Sequence, residues 1–141
     1  MHDRQIAHHL VDTLPRTVRY LRMEFQKHIP KDMTMTQFRI ICHLDMGRMN
    51  ITDIANITGM SLPATSRLIS QMEEKKWIER IRDNSNDRRQ VDIVLSENGR
   101  TLYKKLQYQS ENSIIRKLDS LNEDEKKQLK TALTLLSKVT S

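Results

Sequence analysis

Two groups of side chains in this sequence are suited to a polyanion. Asp87-Arg88-Arg89 closes a run of turn formers, Asp83-Asn84-Ser85-Asn86, lying between two strand-like segments. Arginines at the tip of such a ribbon can enter a narrow minor groove, which attracts guanidinium without base-specific hydrogen bonds. Asp87 alone would be repelled by phosphate. Paired with a neighbouring arginine, it would hold the guanidinium fork in one rotamer. In the second group, Pro63, Ser66, Arg67, Ser70 and Gln71 fall on one side of a helical wheel, and Thr65, Leu68, Ile69 and Met72 on the other. Short polar groups and one arginine facing outward can reach base edges and phosphates in a major groove. A solvated helix face carries similar residues, and the wheel alone leaves the two readings even. The neighbouring ribbon favours nucleic acid.

The elements needed to position these groups are present around them. Asn50–Thr58 reads as a short helix capped by Asn50, with Asp53 at its positive end, and stopped by Gly59. A second helix runs from about Ser61 to Lys76. Ser61 has the better capping side chain, whereas the residue before Pro63 disfavours helical geometry and points to Leu62; both boundaries stay open. Two helices joined by a short Gly-containing turn form a helix-turn-helix, whose second helix can enter a major groove. Trp77–Arg82 and Gln90–Leu95 are rich in β-branched residues and predict the two strands of a β-ribbon, with Val91, Ile93 and Leu95 alternating with Asp92 and Val94.

Supporting helices flank this unit. Ile6, Leu10, Leu14, Val18, Leu21 and Phe25 make one stripe at helical spacing, within which Pro15 is expected to end or kink the helix. That stripe could pack on the chain's own core or on a second copy. After a break at Pro30-Lys31-Asp32, Thr34 and Gln37 form a capping box that opens a helix running to Gly47. Ser96 and Gly99 open a fifth helix carrying Leu102, Leu106, Ile114, Ile115 and Leu118. The last helix begins near Leu121 with an acidic first turn and aligns Leu129, Leu133, Leu136 and Val139. The two terminal stripes are more apolar surface than a small lobe needs, and pairing them across two chains would cover both.

Composition narrows the remaining classes. A chain of 141 residues suits one domain, and 37% apolar against 30% charged residues, with three Gly and three Pro, favours a helical protein over a disordered one. The formal charge of +6 fits a polyanionic partner but is weak evidence by itself. A single cysteine excludes an intrachain disulfide framework and fits a reducing cytosol. No signal peptide and no run long enough to span a membrane is seen, so a cytoplasmic location is expected. Cys42 sits on an apolar helix face and reads as a small buried hydrophobe rather than a redox sensor. His2, His8, His9, His28 and His43 lack the i, i+4 spacing of a helical zinc site, so no metal and no cofactor is expected. Tyr103 and Tyr108 could line a ligand pocket, but partly exposed helical tyrosines are the preferred reading. With no Gly-rich phosphate loop and no nucleophile beside a positioned base, an enzyme is the weakest class.

Taken together, Ser61–Arg80, the loop Asp83–Arg89 and the segment Val91–Gly99 resemble the MarR family of winged-helix regulators over nearly the full length. The match rests on an Asp-x-Arg signature at Asp87 and Arg89 and on an apolar strand ending in Ser96-x-x-Gly99, where Thr-x-x-Gly is usual. Lys76 stands where the family usually has Gly, which makes a left-handed helix exit less favourable. The resemblance implies a mainly α fold with a small β-ribbon: a single MarR-like domain over 1–141, with a winged helix-turn-helix lobe at 30–99 and dimerisation helices at 1–29 and 100–141. It also implies a homodimer on pseudo-palindromic double-stranded DNA, usually a repressor released by a small-molecule effector or by oxidation. Arg89 would enter the minor groove with Asp87 supporting it, and Pro63, Ser66 and Arg67 would face the major groove. The alternative is a winged-helix protein-interaction module that binds no DNA.

Overall fold

Residues 2–82 and 91–141 are described in a computed structural model of the chain. Among these residues six helices and three short strands follow one another: α1 (His2–Gln26), α2 (Met35–Met46), β1 (Met49–Asn50), α3 (Ile51–Thr58), α4 (Leu62–Glu74), β2 (Ile78–Arg82), β3 (Val91–Leu95), α5 (Glu97–Leu118) and α6 (Glu123–Thr140). Local side chains set most helix starts. Thr34 Oγ1 accepts from the Gln37 amide at 3.1 Å while the Gln37 side chain accepts from the Thr34 amide at 2.9 Å. Asn50 with Asp53, and Asn122 with Glu125, close the same reciprocal box. Each such cap satisfies amides that a helix start leaves unpaired, at a stabilisation of about 1 kcal/mol.

The sheet is antiparallel in the order β1-β3-β2, with Met49 opposite Ile93, Arg80 opposite Ile93 and Ile78 opposite Leu95. It has one strand more than the expected ribbon. β1 is only two residues long and its second residue is also the cap of α3, so neither alternation nor β-propensity marks it. The ribbon strands begin at Ile78 and Val91; Trp77 is buried just ahead of β2, and Gln90 lies outside the described residues. The core sits between the sheet and α2, α3, α4 and α5, built on Ile41, Ile54, Ile69, Met72, Ile78 and Ile93.

Of the two expectations at Pro15, an end or a kink, the end does not occur. The helix continues through Pro15. Position 15 and its surroundings are exposed, so the Val11 carbonyl that loses its amide partner can face water. Only the C-terminal end of α1 joins the core, where Phe25 stacks on Phe38 with ring centroids 5.0 Å apart. α6 has no buried residue at all.

Candidate nucleic-acid interface

Gly59 ends α3 in the left-handed conformation, φ 71°, and turns the chain in two residues toward α4. Ser61 is the cap: its backbone is extended and its hydroxyl accepts from the Ala64 amide at 3.2 Å, which places Leu62 and Pro63 in the first turn. Pro63 there lacks only an amide that would be unpaired anyway. Helix α4 then presents three sides. Thr65, Ile69 and Met72 are fully buried, the Thr65 hydroxyl donating to the Ser61 carbonyl at 2.8 Å. Pro63, Arg67 and Gln71 are exposed, and Ser66 and Ser70 are half-buried. The division agrees with the helical wheel for the buried stripe at Thr65, Ile69 and Met72, while Leu68 is half-buried. Ser70 differs from the others, because its hydroxyl accepts from a guanidinium nitrogen of Arg80 on β2 at 2.8 Å. Asp87, Arg88 and Arg89 lie outside the described residues.

The far end of α4 is locked to the sheet and to α5. Lys76 takes a left-handed backbone, φ 64°, although it is not glycine. Its amide donates to the Glu73 carbonyl at 2.9 Å and the Trp77 amide donates to the Met72 carbonyl at 3.1 Å. That crossed pair is a Schellman motif, closed by Trp77 packing into the same core as Met72. Ser96 caps α5, accepting from the Gly99 amide at 2.9 Å while donating to the Lys76 carbonyl. A Cβ on Gly99 would lie 1.9 Å from the Trp77 carbonyl oxygen. The Gly at this position is therefore a contact requirement between α5 and the residue entering β2.

Sequence reasoning missed two ion pairs beside this unit. Arg48, just before β1, lies 3.6 Å from the largely buried Asp92 of β3. Arg80 Nε lies 3.4 Å from Glu73 Oε1, so its guanidinium spans Ser70 and Glu73 on α4. Strand alternation carried the signal for Arg80. It shares a side of β2 with the buried Ile78, and so turns toward α4 rather than to solvent.

Away from α4, burial and the nearby Asp45 push the Cys42 thiol up to about 11, so little thiolate forms at neutral pH. Tyr103 is half-buried against Phe38 and Tyr108 is exposed. A hollow of about 460 Å³ opens between α1 and α5, lined by Glu24, Lys27, His28, Ser113, Arg116 and Lys117. Glu24 is buried there, and the Lys27 ammonium 3.0 Å away holds its carboxyl below the usual carboxylate range. No group of three or more His, Cys, Asp or Glu that could hold a metal ion occurs among the described residues. No described helix is long and apolar enough to cross a membrane.

The sequence profile of the MarR family matches residues 33–91, from the start of the core to the first residue of β3. The chain is 30% identical to the HTH-type transcriptional regulator YwhA of Bacillus subtilis, with 98% of this chain and 97% of that protein covered. Among solved structures, a MarR family protein from Bacillus stearothermophilus superposes with a TM-score of 0.75 at 21% identity, covering 100% of this chain and 99% of that one. NadR in complex with 4-hydroxyphenylacetate superposes with a TM-score of 0.62 at 23% identity, covering 89% and 90%.

Proposed function

The chain belongs to the MarR family of winged-helix transcriptional regulators, and we propose that it works there as a homodimeric repressor on a pseudo-palindromic operator, released by a small ligand. The observation that carries the DNA reading is the division of α4. Thr65, Ile69 and Met72 are fully buried while Pro63, Arg67 and Gln71 stand exposed on a helix held at both ends by side-chain and backbone caps. A rigid helix with a polar outer face is what major-groove readout requires. Ser66 and Ser70 flank that face, and Arg88 and Arg89, with Asp87 as their orienting partner, follow β2 in sequence as the minor-groove group.

The homodimer reading rests on α6, which buries none of its own side chains and leaves Leu129, Leu133, Leu135 and Val139 exposed. Ile6, Val11 and Val18 of α1 are also exposed. Apolar helices of this kind are stable when a second copy covers them. The domain division follows: residues 30–99 contact DNA, and the segments 1–29 and 100–141 pair the two copies. Two recognition helices related by a two-fold axis meet half-sites about one helical turn apart. For release, the 4-hydroxyphenylacetate on NadR supports a small effector.

Selection of bound duplexes from a randomised pool, followed by anisotropy titration of the enriched sequence at several salt concentrations, tests this reading. Enrichment of a palindrome with a steep salt dependence is the expected result. Salt-sensitive binding without enrichment would overturn sequence specificity, and absence of binding would leave a protein-interaction module.

A further inference from the structure

We infer that Arg80 is a positioning residue for DNA recognition, holding α4 at a fixed angle to β2 through Ser70 and Glu73; this rests on the DNA-binding reading above. One guanidinium nitrogen donates to Ser70 Oγ at 2.8 Å, and Nε lies 3.4 Å from Glu73 Oε1. Ser70 and Glu73 are three residues apart and so share one edge of α4, beside the exposed face of Pro63, Arg67 and Gln71, with Ser70 half-buried and Glu73 exposed. Arg80 Nε is itself shielded from solvent and has no hydrogen-bond partner among the described residues, so the ion pair is its compensation for burial. An arginine placed to hold a phosphate would extend into solvent. Arg80 instead folds back across the helix.

The arrangement joins two elements that must be aimed together. α4 carries the outward face, and β2 is the strand that leads to Arg88 and Arg89. A planar guanidinium with donors on more than one edge can serve a hydroxyl and a carboxylate at once, which a lysine ammonium cannot do in the same geometry. A recognition group left loose by its support loses specific contacts before it loses general attraction to phosphate.

The experiment compares the unmodified chain with Arg80→Lys, Arg80→Gln, Glu73→Ala and the Arg80→Gln/Glu73→Ala double variant. Each is titrated against the enriched operator and against a random duplex across a range of salt, with thermal melts alongside. Each single variant is expected to bind the operator roughly tenfold more weakly while its random-duplex affinity stays within twofold or so. The double variant is expected to be no weaker than the weaker single one, since both break the same link. A salt slope lower by about one per protomer in Arg80→Gln would make Arg80 a phosphate contact and overturn the proposal. So would an Arg80→Lys variant that binds like the unmodified chain, or a Glu73→Ala variant that binds more tightly because a negative charge near DNA is gone. A parallel loss on both duplexes with a lowered melting temperature would reduce Arg80 to a structural role. If the unmodified chain binds no duplex, it is the DNA-binding reading that fails, before any variant is compared.

Discussion

Arg89 and Gly99 occupy neighbouring parts of the sequence signature but answer to different physics. Arg89 is proposed to act on DNA, and its replacement should leave the fold alone. Arg89→Ala is expected to weaken operator binding by about 1–3 kcal/mol and to lower the salt slope by about one per protomer, with an unchanged thermal melt. Anisotropy titrations over salt would show this, and undiminished affinity would remove Arg89 from the interface. Gly99 acts on the fold. The carbonyl that a Cβ would strike also accepts the Ser96 amide at 3.0 Å, so α5 cannot step back without straining the bond that ties its cap residue to Trp77. Gly99→Ala is expected to destabilise the chain by about 2–3 kcal/mol or more, read as a lower denaturation midpoint in urea. A midpoint equal to that of the unmodified chain would mean that α5 can retreat from Trp77. The spacing Ser96-x-x-Gly99 was legible as a signature, whereas its cause was not. No residue pattern announces that a helix start will press on a carbonyl some twenty positions earlier.

At the scale of elements, what could be read from sequence was local. Thr34 with Gln37 announced its helix as a capping box and Asn50 its helix as an N-cap, because a cap lies within one turn of the chain; the reciprocal bond from Asp53 came only with the structure. The buried stripe of α4 was equally visible through its period. Three features depended on distant partners and were not. β1 exists because Met49 meets Ile93, and α1 runs on through Pro15, where nothing in the chain's own lobe packs on the residues around it. Ser70 looked like a free outward hydroxyl but accepts a bond from Arg80. Lys76 runs against expectation: lysine where the family usually has Gly disfavours a left-handed exit, yet the exit is left-handed with lysine in place. A non-glycine residue pays roughly 1 kcal/mol for that conformation, partly offset because glycine frees the unfolded chain. Lys76→Gly should therefore stabilise the chain by up to about 1 kcal/mol, seen as a higher urea midpoint with an unchanged slope. A lower midpoint would show that the Lys76 side chain contributes more than its backbone costs.

For the whole molecule, surface area argues that one copy is incomplete. A compact monomer of 16.7 kDa exposes about 7,600 Å², whereas this chain exposes 10806 Å². Much of the difference comes from helices that find no core of their own: α6 has no buried residue, and most of α1 is exposed. Stable homodimers bury some 2,000–5,000 Å² in total, a range that two such surfaces can supply. The apolar side of α6 centres on Leu133, which is 56% exposed and lies one turn from Leu129 and from Leu136. Leu133→Asp places a charge in that seam without touching the lobe that carries α4. In sedimentation velocity at micromolar concentration the unmodified chain is expected to run as two copies and the variant to shift toward one. Operator affinity should fall with it, because a single copy grips a single half-site and loses the coupling between them. An unmodified chain that sediments as one copy at that concentration would refute the pairing. A variant that stays dimeric and binds normally would move the interface off α6.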